Sequence, residues 1–455
     1  MKSIPKTAQR ALAIAIAATL PAAYADAPSG AIKNPVIEKV DTIEVVGHYD
    51  NGVGSSDAAS QGTVNAKLIE NRPALRPGEI LEFVPGVIVT QHSGGGKANQ
   101  YFLRGFNLDH GTDFATYVAG MPVNMPTHAH GQGYSDLNFL IPELVERIDY
   151  RKGTYFAEEG DFASAGSARI HLLNSLKQST AELTLGSFDY QRLLVVSSQA
   201  IGEGSLLYAV DASHNNGPWR NPDNFRRSNA LLRYHHGSDS NGWGLTLMGY
   251  DARWNSTDQI PQRAVQLGLL DRFDTIDKSD GGKTSRYSLS FDLKARSADS
   301  LIQANAYLIR SRFNLFSNFT YFLDDPVNGD QFEQAERRTV AGLAASQTWF
   351  GKLGGSEMTN TIGIQLRNDR LAPVGLYANK ERHRLNTVRE DRARETAAGI
   401  YVENNIQWLE KFRSIAGLRY DHYRFKVDSS ISANSGDARD HTTSPKLSLI
   451  FGPWA

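Results

Sequence analysis

The chain has 455 residues, 40% hydrophobic and 21% charged, with 48 Lys+Arg against 49 Asp+Glu and no cysteine. That composition excludes a bundle of membrane helices, each of which needs about 18 or more consecutive apolar residues. The 20 Phe, 18 Tyr and 6 Trp exclude a disordered chain, the balanced charge gives no ground for a nucleic-acid partner, and the missing thiols exclude cysteine metal sites and disulfides.

Lys2, Lys6 and Arg10 precede the uncharged run Ala11–Leu20, then Pro21 and the small-x-small sequence Ala23-Tyr24-Ala25. This is the layout of a secretory signal peptide over residues 1–25, with a core too short to span a bilayer as a helix. Residues 26–60 read as a tether rich in Gly, Ser, Ala, Asp and Asn, with one apolar island at Ile43–Val46. Residues 61–175 have the texture of a compact mixed domain. Pro77 places a helix start at Arg76–Leu81, Val87–Thr90 reads as a strand, Pro142 opens a second short helix, and Arg147–Arg151 alternates as a strand.

From residue 176 to 455 the pattern is period two. Tyr287, Leu289, Phe291, Leu293 and Ala295 share one face, while Arg286, Ser288, Ser290, Asp292, Lys294 and Arg296 share the other. About twelve such segments occur, several long enough for the roughly 9–11 residues of a tilted membrane strand. A lipid-facing apolar band around a polar lumen accounts for charges filling a whole face, and Tyr190, Trp219, Trp254 and Trp408 are expected in aromatic girdles. A secretion signal before such strands points to the outer membrane of a Gram-negative bacterium.

Asp41-Thr42-Ile43-Glu44-Val45-Val46-Gly47 resembles the TonB box of TonB-dependent outer-membrane receptors. Six segments C-terminal to it resemble that family's plug domain: Arg72-Pro73, Gly78-Glu79-Ile80-Leu81, Val84-Pro85-Gly86-Val87, Phe102-Leu103-Arg104-Gly105-Phe106, Gly120-Met121-Pro122-Val123 and Ile141-Pro142-Glu143-Leu144-Val145-Glu146-Arg147-Ile148. Two departures mark a divergent plug. Ala119-Gly120 stands where the family commonly has Asp-Gly, and Arg151-Lys152-Gly153-Thr154 where it often has Arg-Gly-Pro. The resemblance implies an α+β plug followed by an antiparallel transmembrane β-barrel. It further implies energised uptake of a scarce ligand, most simply a ferric siderophore or other metal chelate, by a monomeric non-enzyme without a resident cofactor, set in outer-membrane lipid. The implied partner is TonB with its inner-membrane energising complex, reached through Asp41, Thr42, Ile43, Glu44 and Val45, because an extended apolar-alternating segment adds as a strand to a sheet edge. A passive porin and a zinc- or copper-complex receptor are the alternatives.

His128 and His130 stand at i, i+2, on one side of an extended segment, and with His92, His110 and Tyr134 they are candidates for ligand contact or metal, since imidazole suits Zn, Cu, Fe and Ni. The run Ser93-Gly94-Gly95-Gly96-Lys97 lacks the phosphate-loop pattern and reads as a flexible apical loop. Glu158-Glu159 and Asp324-Asp325 read as solvated acids on turns. A plug this size fits a lumen of roughly 22 strands, so about twelve are expected to form an open half-barrel that does not transport by itself.

Overall fold

The computed structural model describes residues 49–50, 60–72, 75–91 and 94–452. The signal sequence, the segment resembling a TonB box and His92 lie outside them. The first nine strands are short: β1 (Tyr49–Asp50), β2 (Gln61–Asn65), β3 (Val87–Thr90), β4 (Gln100–Leu103), β5 (Phe106–Asn107), β6 (Phe114–Val118), β7 (Met121–Pro122), β8 (Val145–Arg151) and β9 (Gly166–Leu172). Six form a sheet in the order β1-β2-β8-β9-β6-β7, with β6 and β9 parallel, and β3-β4-β5 form a second sheet. One turn of α-helix, α1 (Ala66–Glu70), follows β2.

Both proline-opened helices are 3₁₀ rather than α, over Pro77–Phe83 and Pro142–Leu144. Pro suits a first turn, but each segment returns to extended backbone at Val84 and Val145, which leaves room only for the tighter form.

The remaining strands are β10 (Thr180–Gly186), β11 (Tyr190–Ile201), β12 (Gly204–Asn215), β13 (Phe225–Gly237), β14 (Asn241–Asn255), β15 (Gly281–Arg296), β16 (Ser300–Ser317), β17 (Phe332–Leu353), β18 (Ser356–Lys380), β19 (His383–Leu409), β20 (Phe412–Ser429) and β21 (Gly436–Phe451). They form one twelve-stranded antiparallel meander in chain order. Among the described residues the sheet does not close: β10 pairs with β11 and β21 with β20, one at each edge. A membrane crossing takes about 9–11 residues, so β17, β18 and β19, at 22, 25 and 27 residues, stand well beyond a bilayer. Short turns gather at one end of the sheet (202–203, 238–240, 297–299). Long connections gather at the other (216–224, 256–280, 318–331) and include the short helix α2 (Gln262–Gln266). Short turns belong on the periplasmic side and long loops outside.

Period-two alternation gives the sheet unlike faces. Leu245, Leu247, Leu289, Leu308, Ile362, Ile364, Leu366 and Ile400 are all exposed on the outer face. The inner wall is less polar than expected. Leu194, Val196, Leu207, Ala209, Leu231 and Met248 join Val118, Leu137, Leu140 and Ile148 of the preceding domain in one continuous apolar core. The small domain is therefore packed against the wall by the hydrophobic effect, not suspended in a hydrated lumen.

The girdle expectation fails for three of four aromatics. Trp254 is 2% exposed and inward-facing, while Tyr190 and Trp219 line a cavity at the long-loop end. Trp408 is exposed near the other end of β19, where Trp349 and Phe412 also lie. Sequence position within a strand does not reveal which face each ring takes.

Candidate functional site

The loop from Asn124 to Ser135 forms the tip of the small domain. An isolated bridge pairs Met125 with Tyr134, folding the intervening residues into a tight lobe. Within it His128 stacks on Tyr134 at 3.9 Å between centroids, and His130 meets the same ring edge-on at 6.1 Å. His110 lies 5.0 Å from His130, and Phe313 of β16 closes the cluster at 4.8 Å from His128. The Tyr134 hydroxyl accepts the Ala98 N–H at 2.8 Å.

Burial disfavours the charged form of all three imidazoles. Burial pushes His128 well below its ordinary pKa and lowers His130 to about 3, and burial lowers His110 as well. The acceptor role of His128 agrees, since its Nδ1 takes the His130 backbone N–H at 3.2 Å; His110 Nδ1 donates to the Asn99 carbonyl at 3.0 Å, a bond that opposes the effect of burial without reversing it. Among the described residues no three His, Cys, Asp or Glu side chains are placed to hold a metal ion. The sequence-expected set thus divides: His110, His130 and Tyr134 come together with His128, and His92 lies outside the described residues. His110 and His130 line the cavity, whereas His128 and Tyr134 hold the lobe against β16.

That cavity, about 1040 Å³, opens between the tip of the small domain and the long barrel loops. Arg76, Lys97 and His130 line it from the domain, and Trp219, Asp258 and Arg272 from the loops. Burial lowers the Lys97 pKa against the opposing pull of Asp258, and burial raises Asp223 to about 7. The triglycine run beside it is packed, not loose. A Cβ on Gly96 would strike the Trp254 ring, and one on Gly94 would come to 2.5 Å of its indole nitrogen. Glycine lets backbone approach the indole directly.

Below the cavity, charged groups tie the domain to the wall. Arg338 is the centre: its side chain is 0% exposed and contacts Glu336 at 2.7 Å, Asp369 at 2.5 Å and Glu395 at 3.6 Å. It also donates to the Thr127 carbonyl. Arg367 bonds Asp369 at 2.7 Å and donates to the Asn124 carbonyl at 2.8 Å. Glu336 accepts the Ala129 N–H at 3.0 Å, Glu395 accepts the Thr127 hydroxyl, and His130 Nδ1 donates to Gln334 at 2.9 Å. Each partner is an inward position of β17, β18 or β19. Sequence reading missed this network, although Glu336/Arg338 and Arg367/Asp369 are opposite charges at i, i+2 on one face, a legible signal.

Two further ties complete the set. Glu143, in the 3₁₀ turn after Ile141, pairs bidentately with Arg192 at 2.6 and 2.9 Å, and Arg192 also holds buried Asp211 at 2.7 Å. Pro142 fixes the start of that turn. Glu158 and Glu159 are not solvated as expected: Glu159 has a 0% exposed side chain, and both pair with Arg151 and Arg169. Burial opposes their charge, yet Arg169 and Arg151 outweigh it and hold Glu158 down at about 2. Arg419 of β20 donates to the Glu158 carbonyl at 3.1 Å. Arg104 and Gly105, both at positive φ, form the β4–β5 turn, with Phe106 75% exposed beside it.

Comparison with known proteins places these features. A family model described as "TonB-dependent Receptor Plug Domain" matches residues 55–167, and one described as "TonB dependent receptor-like, beta-barrel" matches residues 179–455. The chain is 30% identical over 248 residues to the vitamin B12 transporter BtuB of Vibrio cholerae serotype O1, covering 52% of this chain and 38% of that protein. The ferric citrate transporter FecA in its unliganded form superposes with a TM-score of 0.69 at 13% identity, over 86% of this chain and 60% of that one. The ferric yersiniabactin uptake receptor FyuA of Yersinia pestis gives 0.63 at 13% identity, over 85% and 60%. The copper transporter OprC gives 0.62 at 16% identity, over 87% and 60%. These structures share the fold, and the chain spans well under two thirds of each relative's length.

Proposed function

The chain belongs to the TonB-dependent receptor family, and from that premise we propose that it forms the plug and plug-holding wall of an energised importer in the outer membrane. The carrying observation is the cavity of about 1040 Å³ at the long-loop end, floored by the plug tip and roofed by barrel loops. A passive pore needs no such floor. The volume suits a compact chelate of several hundred daltons, at the upper end of small-molecule pockets. Aromatic Trp219 and Phe225 lie on its surface among Arg76, Lys97, Arg227 and Arg272 and the carboxylates Asp109, Asp223, Asp258 and Asp274, a lining of balanced charge that favours a conjugated metal chelate with its own polar groups over a bare ion.

In this reading the ligand contacts His110 and His130 as neutral hydrogen-bonding groups. Movement at the tip loosens the Arg338 and Arg367 ties, and the segment at residues 41–47 passes to TonB by strand addition. Ligands named for the relatives supply the test panel: ferric citrate, ferric yersiniabactin, cyanocobalamin and a copper complex. Titrating each against the purified chain while following tryptophan fluorescence reports binding near Trp219. Saturable quenching by one chelate, weakened at least tenfold by His110→Ala/His130→Ala, is expected. Quenching by none, together with a steady open conductance in planar bilayers, would favour the passive pore.

A further inference from the structure

The formal charges lining the cavity of about 1040 Å³ can be matched one by one, and two are left over. Arg227 is held by Asp211 at 3.3 Å, Arg76 by Glu79 at 3.8 Å and Asp274 by Arg220 at 3.6 Å. Asp258 accepts the Asn318 N–H at 3.2 Å, while Asp109 and Arg272 are exposed to water. Lys97 and Asp223 have neither a counter-charge nor open water. Among the described residues, no carboxylate lies within ion-pair distance of Lys97, and no basic group lies within that distance of Asp223.

Both are placed by the chain around them. Lys97 follows Gly96, whose backbone packs directly on the Trp254 ring of β14, and the residue is 9% exposed. Its charge acts on both His110 and His130, so the ammonium stands on the cavity floor beside the two imidazoles. Asp223 belongs to the loop side, between β12 and β13. Its N–H donates to the Asn216 carbonyl at 2.9 Å, and its carbonyl accepts the Asn255 N–H at 2.7 Å. Trp219 donates its indole N–H to the carboxylate, whose Oδ1 is buried with no partner. Trp219 is itself backed by Phe273, at 6.0 Å between ring centroids. Lys97 and Asp223 stand too far apart to offset each other, since neither charge acts on the other.

A desolvated cation and a desolvated carboxylate, each without a counter-ion, cost free energy until a complementary group arrives. Burial lowers the pKa of Lys97 and raises that of Asp223, the directions that missing partners dictate. One ligand satisfies both only if it carries an anionic oxygen and a cationic nitrogen. An ammonium at Asp223 also meets the face of the Trp219 indole, a second source of attraction. We propose that the cavity selects a metal chelate bearing a carboxylate and a free amino group, the carboxylate received by Lys97 and the amino group by Asp223 with Trp219. On the importer reading above, on which this rests, the transported ligand is a zwitterionic aminocarboxylate chelate.

Two cupric chelates test it: that of aminobutyl nitrilotriacetate, with carboxylates and a free ammonium, and that of its N-acetyl derivative, which keeps the carboxylates alone. Each is titrated against the purified full chain while quenching of tryptophan fluorescence by copper is followed. The amine probe should bind about tenfold tighter than the acetylated one, as one charge-assisted bond in a desolvated site provides. Asp223→Asn should bind the two alike. Lys97→Gln should weaken both about tenfold and keep the preference between them. An unchanged heat-dependent shift on gels verifies the folding of each variant. Equal binding of the two probes by the unaltered chain, or a preference that survives in Asp223→Asn, would overturn the proposal. So would undiminished binding in Lys97→Gln, or no saturable quenching by the amine probe at millimolar concentration. The importer reading fails on a different result, a steady open conductance in planar bilayers, which leaves the preference between probes as it is.

Discussion

Replacing Arg338 by Ala should release the plug tip while leaving the rest of the plug in place. Arg338 is one of two guanidinium groups, with Arg367, facing the three carboxylates of Glu336, Asp369 and Glu395. Glu336 and Asp369 have side chains 2% and 1% exposed, so neither can turn to water when the cation goes. Truncating one member of a buried ion pair costs roughly 3–5 kcal/mol, most of it the penalty on the charge left behind. The Thr127 carbonyl also loses its donor, about 1 kcal/mol more. The loss should fall on the 124–130 lobe, because that is what the network holds. At about 1.4 kcal/mol per factor of ten, amide-exchange protection at Ala129 should drop by roughly three to four orders of magnitude. Amides of β11–β13, which pack the plug through apolar contacts, should change by less than about tenfold. Arg338→Lys should be intermediate, since an ammonium keeps the charge but cannot span several acceptors as a planar fork does. Ala129 protection unchanged in Arg338→Ala would show that the aromatic cluster around Tyr134 holds the tip and would refute the ionic account.

The Glu143–Arg192 tie should show the opposite balance. Glu143→Ala removes a 37% exposed carboxylate and should cost at most about 1 kcal/mol, whereas Arg192→Ala leaves 0% exposed Asp211 with Arg227 alone and should cost about 3 kcal/mol; equal urea midpoints would contradict this. Gly96→Ala drives a methyl into the Trp254 ring and should cost about 1–3 kcal/mol with a red shift of tryptophan emission, and an unchanged spectrum would count against the packed-glycine reading. Asp280, in the long loop before β15, is pushed up to about 9 by burial and by Asp277 and Asp258. Its unfolded pKa is near 3.9, so the folded loop holds a proton the unfolded chain releases, and stability falls as pH rises from about 4 to about 9. Asp280→Asn should flatten that slope and melt higher at pH 8.5; parallel melting curves for variant and unaltered chain would reject it.

The range of each interaction decides how legible it is in the sequence. Alternation over Arg286–Arg296 suffices to assign Leu289 outward and Arg286 inward, because strand period alone fixes faces. The same alternation cannot say that Arg286 stacks on Phe139 at 4.0 Å, a contact set by how the plug seats. Trp254 looks like a girdle residue in the sequence because its partner, Gly96, lies in another domain. The i, i+2 histidines do share a side, but their partner Phe313 comes from β16, so the sequence suggests ligation where the fold has packed rings. Glu158 and Glu159 look solvated because Arg169 meets them only through the β8–β9 pairing. The plug motifs are legible because each is local: Pro142 starts a turn, Gly105 permits a positive φ, and both hold wherever the domain sits.

Coupling to TonB is the centre of the functional proposal, and it can be measured without knowing the ligand. The purified chain, with and without residues 41–47, is titrated with the periplasmic C-terminal domain of TonB and binding followed by calorimetry. Loss of at least tenfold in affinity on deletion, with plug and barrel stability unchanged, is the expected result. Equal binding by the two forms would contradict energised import through this segment.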